Sequence, residues 1–306
     1  MKEITIISGK GGTGKTSLAA CFATLSETCV LADCDVDAPD LHLLFSGTER
    51  EREPVLGPML ASIKRDRCTR CGRCVAACRF HAILGSAEAG FCVDALLCRG
   101  CDACRLVCPA EAIKLEPNSS GEVVVSESAV GPLVQARLRP GTAGFGKLVV
   151  AVRDRAAQLC LQENRELVII DGPAGAGCSA IASLSGVDLA LIVAEPTLSG
   201  LHGAQRVLAL ARHFGVAVLL LVNKYDLNLE MTRRLELWAA EERIPAIGRI
   251  PFDRGFGLAI ARGRPFSRSG EGSAEAQAAV DAIWARVCAS LRSIESGGVA
   301  SARLNA

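Results

Sequence analysis

The sequence is poor in aromatic side chains and in net charge, and both shortages exclude roles. One Tyr, two Trp and a formal charge of +1 over 306 residues supply neither the basic stripe nor the stacking aromatics of a nucleic-acid groove. No nucleic-acid partner is expected. Long hydrophobic runs are missing as well: the longest, Val216–Val222, falls far short of the roughly 20 residues that a membrane-spanning helix needs. Glu3 already leads into a strand, so neither a signal peptide nor a membrane span is expected. The compositional bias of disorder is also lacking. Half of the residues (50%) are apolar, enough to bury one large core, with or without a small insert. What the chain has in excess is cysteine, fifteen in all. With no secretory signal, that count fits a reducing cytoplasm, where clustered thiols read as metal ligands and not as disulfides.

The first motif lies near the start. Ile4-Thr5-Ile6-Ile7 reads as a short strand, Gly9-Lys10-Gly11-Gly12-Thr13-Gly14-Lys15-Thr16 as a glycine loop, and Ser17–Leu25 as a helix. The spacing Gly9-x4-Gly14-Lys15-Thr16 is that of a phosphate-binding loop. Its backbone N–H groups curl around phosphates, Lys15 reaches the β and γ oxygens, and Thr16 can ligate Mg²⁺. Apolar strands alternating with helical stretches through Leu189–Val193 and Val216–Val222 predict an α/β domain with a mostly parallel sheet. Its active loops should lie at the carboxyl ends of the strands.

The extra Lys10 makes the loop resemble the deviant Walker A of the MinD, ParA, Mrp and nitrogenase iron-protein group of ATPases. That resemblance implies that Lys10 reaches across a dimer to the partner's nucleotide, and that Gly9, Gly11, Gly12, Thr13, Gly14, Lys15, Thr16 and Ser17 cradle ATP. In Asp33-Cys34-Asp35-Val36-Asp37 it makes Asp35 the switch I carboxylate that orients the attacking water; the plainer reading is a loop of solvated acids. Leu167–Ala174 with Gly175 resembles the family's Walker B and switch II, with Asp171 supporting Mg²⁺ and Gly172 and Gly175 permitting movement. Asn223-Lys224-Tyr225-Asp226 imitates the guanine-reading motif of GTPases. The resemblance favours adenine, with Asn223 on one side of the base and Pro251 of the Ile250–Asp253 segment on the other; the plainer reading of Asp226 is a strand-end helix cap.

Eight cysteines form two copies of one pattern, Cys68-x2-Cys71-x2-Cys74-x3-Cys78 and Cys98-x2-Cys101-x2-Cys104-x3-Cys108-Pro109, offset by 30 residues. The register continues through Ala82-Ile83 and Ala112-Ile113, so this is an internal duplication. A zinc site wants two separated pairs of ligands, whereas this pattern supplies three close ligands and one remote, twice. The runs resemble bacterial ferredoxins with two [4Fe–4S] clusters, in which the fourth cysteine of each run ligates the other cluster. The resemblance therefore implies one cluster on Cys68, Cys71, Cys74 and Cys108, and a second on Cys98, Cys101, Cys104 and Cys78. Arg79 stands where that family usually has Pro. Breakers at Glu53-Pro54, Gly57-Pro58, Pro117 and the Asn118–Gly121 turn bound the insert. The expected layout is an ATPase domain over 1–64 and 118–290, a small α+β ferredoxin domain over 65–117, and a polar tail over 291–306.

Together the motifs resemble the MinD-superfamily ATPases that carry an inserted ferredoxin. The resemblance implies an ATPase that dimerises with itself or with a related ATPase and gates electron transfer to a redox or iron–sulfur partner. Two other roles stay open: an Mrp-type cluster assembly or carrier ATPase, and a ParA-like regulatory ATPase with redox-sensing clusters. Cys178 bears on the former. It follows Asp171 by seven residues, as a cluster ligand of the nitrogenase iron protein follows its switch II acid, and two copies could share a bridging cluster.

Overall fold

A computed structural model describes residues 1–26, 28–139 and 145–296. The chain opens with β1 (Lys2–Ser8), α1 (Lys15–Leu25), β2 (Cys29–Asp33) and the single turn α2 (Leu41–Leu44). A long strand β3 (Thr48–Ile63) leads to α3 (Arg73–Ala77), the hairpin β4 (Ile83–Ser86) and β5 (Gly90–Val93), and α4 (Ala103–Leu106). The equally long β6 (Ile113–Ser128) returns to β7 (Gly131–Leu138). There follow α5 (Phe145–Gln162), β8 (Leu167–Ala174), α6 (Cys178–Leu184), β9 (Leu189–Ala194), α7 (Leu198–His213), β10 (Ala217–Asn223), α8 (Leu229–Glu241), β11 (Ala246–Ile250), α9 (Arg254–Ala261) and α10 (Ala274–Ser296).

One nine-stranded sheet runs β11-β10-β9-β1-β8-β2-β7-β6-β3. From β11 to β7 every pairing is parallel; β6 and β3 close that side antiparallel. The parallel strands are covered on both faces, which is why they are continuous apolar runs and not alternating ones. Ile4, Ile6 and Ile7 of β1 and Val168, Ile169 and Ile170 of β8 are all fully buried. Helices α5, α6, α7 and α8 cover one face; α1, α9 and α10 cover the other, where Phe22 stacks on Trp284 with ring centroids 5.0 Å apart. Helix α10 runs through Ser296 with Leu291 buried, past the expected start of a polar tail at 291. Positions 297–306 lie outside the described residues.

The breakers expected to bound the insert fall inside the ribbon formed by β3 and β6. Pro54 pairs opposite Glu122, Leu56 opposite Ser119 and Met59 opposite Pro117, with the register slipping at Val55/Leu56 and Leu56/Met59. Residues Asn118–Gly121 are therefore strand and not turn. The physical reason is that β3 is an edge strand, where a missing N–H costs little and bulges absorb the irregularity.

At its far end the ribbon carries a small cysteine-bearing lobe whose halves repeat at the 30-residue offset. The pairs Ile83↔Val93 and Leu84↔Cys92 of the hairpin match Ile113↔Ile63 and Lys114↔Ser62 of the ribbon end. Left-handed backbone recurs at Arg70 and Gly100, Gly72 and Asp102, and His81 and Glu111. Four of these six residues are not glycine, so the shared geometry overrides the usual steric preference.

Candidate functional site: a nucleotide cleft and a cysteine lobe

The strand, loop and helix expected at the start are present, and α1 begins at Lys15, immediately after Gly14 in left-handed conformation (φ 92°). The carboxyl ends of β1, β2 and β10, with the segment following β11, enclose a cleft. It is lined by Gly11, Gly12, Gly14, Lys15, Thr16, Ser17, Asp35, Asn223 and Pro251, all expected from sequence, and by Phe252, Phe256 and Leu258. Gly9 and Thr13 sit behind this wall. A Cβ on Gly9 would lie 2.0 Å from Cα of Gly203, so the loop rests on α7 backbone to backbone. Thr13 is buried, and its carbonyl accepts a 2.7 Å hydrogen bond from Asn223 Nδ2.

Lys10 turns onto its own chain. Its Nζ is 2.6 Å from Glu195 Oε2, while Lys224 Nζ is 2.5 Å from Glu195 Oε1 and also donates to the Gly12 carbonyl at 3.0 Å. Burial pushes the Glu195 carboxyl up, but the two ammonium groups outweigh it and hold the group below its ordinary value. Glu195 thus ties both ends of the glycine loop to the end of β9. Asp226 caps no helix among the described residues: its Oδ1 accepts from the backbone N–H of Phe252 at 2.6 Å, fixing the apolar wall of the cleft.

Two carboxylates are buried beneath the loop. Asp33 Oδ1 and Oδ2 accept from Asp35 N (3.2 Å) and Leu41 N (3.1 Å). Asp171 is 1% exposed, and neither of its oxygens has a hydrogen-bond partner among the described residues. Burial raises the Asp171 carboxyl to about 7, opposed by the Thr16 hydroxyl and Lys15. Burial, reinforced by Asp171, raises Asp33 as well. Burial also raises Asp35, against Lys15. A buried carboxylate with both oxygens unsatisfied is costly unless a cation or its water shell completes it. The donor set of Thr16 and Asp171 fits Mg²⁺, which takes oxygen ligands and keeps several waters.

In the cysteine lobe the two runs interleave. Cys68, Cys71, Cys74 and Cys108 line one cavity, and Cys78, Cys98, Cys101 and Cys104 line another. Each remote cysteine has crossed to the other run's cavity. The Sγ of Cys78 accepts from Ala82 N (3.3 Å), and that of Cys108 from Ala112 N (3.4 Å). Among the described residues no group of three or more His, Cys, Asp or Glu forms a metal-ion site. Cys178 is exposed at the first residue of α6.

Three site residues escaped the sequence reading. Asp33 was hidden in a run of acids, Glu195 looked like a loop residue, and the contact from Lys224 to the glycine loop spans 212 residues. The signal for Glu195 was a carboxylate at the carboxyl end of a buried strand, where loops meet ligands.

A parallel sheet with a glycine loop between β1 and α1 defines the class: a phosphate-loop nucleotide-binding protein. Residues 4–266 match the model of the CobQ/CobB/MinD/ParA nucleotide-binding domain, and the chain belongs to that family. It is 37% identical over 230 residues to the uncharacterized protein MJ0578 of Methanocaldococcus jannaschii, covering 74% of this chain and 79% of that one. It is 26% identical over 231 residues to MJ0579 of the same organism, covering 74% and 82%. Among solved structures it shares the fold of septum site-determining protein MinD complexed with Mg-ADP from Pyrococcus horikoshii (TM-score 0.55, 16% identity, 94% and 95% covered). Cell division ATPase MinD of Pyrococcus furiosus is similar (TM-score 0.54, 16% identity, 94% and 98% covered). No helix among the described residues is long and apolar enough to cross a membrane.

Proposed function

We propose that this chain is an ATP-hydrolysing iron–sulfur protein in which nucleotide state gates one-electron transfer through two [4Fe–4S] clusters to a partner. The observation that carries this reading is the crosswise lining of two similar cavities by four cysteines each, the ligand exchange that ferredoxins with two clusters use. The clusters would supply one-electron storage and transfer. The chain's own contribution is the cysteine ligands and the N–H···S bonds from Ala82 and Ala112, which tune potential.

On the nucleotide side, Lys15, Thr16 and the loop amides stabilise charge developing on the phosphates. Asp35 orients water, and Asp171 supports the Mg²⁺ shell. Asn223 and Pro251 flank the base, and Asp226, held by Phe252, is not free to read guanine. Release of Lys10 from Glu195 lets it reach the nucleotide of a second subunit, either another copy or a related ATPase.

Coupling follows from chain connectivity. The loop carrying Asp35 passes through α2 and only Phe45, Ser46 and Gly47 before β3 begins. The returning strand β7 pairs Gln135 against Asp33. The ribbon is therefore linked to Asp33 and Asp35 by a short connection on one side and through β7 on the other. A tenfold preference of ATP for one redox state would move a one-electron potential by about 59 mV.

Anaerobic electron paramagnetic resonance titration with and without Mg-ATP, with iron and zinc content, tests the reading. A nucleotide-dependent potential or spectrum supports it; two clusters indifferent to ATP refute gating. A cluster-carrier role is the second reading, favoured by the exposure of Cys178 just after the switch II segment.

A further inference from the structure

The two halves of the cysteine lobe share a backbone but not a surface. Between residues 65 and 79 the first half carries Arg65, Arg67, Arg70, Arg73 and Arg79 against one acid, Asp66. The duplicated positions hold Ala95, Leu97, Gly100, Ala103 and Pro109, so all five charges are confined to one copy. All five side chains are exposed. Among the described residues none is ion-paired to a carboxylate; the hydrogen bond of Arg70 goes to the carbonyl of Glu88 at 2.8 Å. In the second half Arg105 is instead tied to Asp102.

One of these arginines, Arg73, stands at the lip of an open groove between α3 and α4, lined by Ala76, Ala77, Leu106, Val107 and Pro109, with Cys108 in its wall. Cys108 also lines the cavity of Cys68, Cys71 and Cys74. The groove is therefore one side chain away from that site. Leu106 is 75% exposed, an unusual place for a leucine on a lobe this small. An apolar groove with an unpaired arginine at its lip, on a half-lobe that carries four more, is the anatomy of a transient protein interface. Because the whole chain carries only +1, this face also gives the molecule a directed field that orients an approaching partner.

We infer that the Arg65–Arg79 face and the α3/α4 groove dock a small, acidic, one-electron carrier protein, which exchanges electrons with the site of Cys68, Cys71, Cys74 and Cys108. This rests on the iron–sulfur reading above. In the forward direction the docked carrier gives up one electron and that site accepts it; no bond is made or broken. Around Cys98, Cys101 and Cys104 the exposed Arg99 is the one arginine with no ion pair among the described residues, against five in the first half, and this imbalance favours carrier exchange at one end.

The test uses the anaerobic, iron-loaded chain and a strongly acidic flavodoxin as probe, with binding measured by titration calorimetry and association by stopped flow. Binding should weaken at least tenfold between about 50 and 300 mM salt. The triple variant Arg67→Glu/Arg73→Glu/Arg79→Glu should lower the association rate at low salt about tenfold or more, and the matching Arg→Gln variant should fall between. Iron content and ATP hydrolysis should stay at parent values in both. Unchanged binding by the charge-reversed protein, with iron retained, overturns the docking face and leaves the redox reading standing. A parent chain that binds no iron on reconstitution overturns both. A DNA oligonucleotide that displaces the flavodoxin and binds as tightly makes the face a general polyanion site and overturns the proposal too.

Discussion

Replacing Asp171 by Asn should stabilise the nucleotide-free protein, increasingly so as pH rises from 3.8 to about 7. The carboxyl is buried, neither oxygen is within hydrogen-bond geometry of a partner among the described residues, and burial lifts it from 3.8 to about 7 against the nearby Thr16 hydroxyl. Below pH 3.8 the folded and unfolded chains both hold the proton, and the group makes no difference. Between 3.8 and about 7 the folded state binds the proton more tightly, so stability falls as pH rises. Above 7 the full penalty is in force. Moving a carboxyl that far costs roughly 4 kcal/mol at most, shared with Asp33, which titrates with it. Asn keeps the shape and removes the charge. At pH 8.5 its anaerobic unfolding midpoint should exceed the parent's by about 5–10 °C, given 2–4 °C per kcal/mol for large domains. At pH 5.5, where about half of the penalty is in force, the difference should be about half as large, and it should vanish near pH 3.8. Mg²⁺ with ATP should stabilise the parent and leave the variant unmoved. A variant less stable than the parent at pH 8.5 would refute the argument that this carboxylate waits, uncompensated, for a cation.

Lys10→Ala should abolish ATP-dependent dimerisation and turnover while leaving visible cluster absorption intact; equal turnover would sink the role in the second subunit's site. Cys104→Ser should lower iron from about eight to about four per chain, and an unchanged iron content would break the ligand pairing. Asp226→Ala removes a charged acceptor from the Phe252 amide, worth about 1.5–3 kcal/mol. ATP affinity should fall about tenfold with GTP binding poor throughout, whereas selective loss of GTP binding would return Asp226 to base reading. Gly203→Ala forces a methyl group against Gly9 Cα, where no space exists. It should destabilise the fold by about 1–3 kcal/mol and weaken nucleotide binding, as thermal melting and fluorescent-nucleotide titration will report.

What was legible in the sequence was local. Strand β1, the glycine loop and α1 follow from contiguous residues, as do β8, β9 and β10, whose apolar runs announce strands buried on both faces. The duplicated cysteines were legible because spacing alone carries them. The ribbon of β3 and β6 was not. Its Pro and Gly residues read locally as turns, and only pairing across some 50 to 80 residues makes them bulges. Glu195 was opaque for the same reason, since its partners Lys10 and Lys224 lie 185 and 29 residues away. Lys10 illustrates the remaining gap. A motif assigns it to a second subunit, but only coordinates reveal the carboxylate that occupies it in a single chain.

The ribbon also has a mechanical consequence. Beyond Val55 and Gly121, where pairing with β7 ends, the residues Leu56–Ile63 of β3 at about 3.3 Å each make an arm of about 25 Å in contour, tipped with the cysteine lobe. A tilt of about 5° where it leaves the sheet sweeps the tip through about 2 Å on an arm of that length. In the proposed ATPase, loss of a single phosphate, felt over a fraction of an ångström at Asp35, would thus be geared up into a displacement of about 2 Å at the far end.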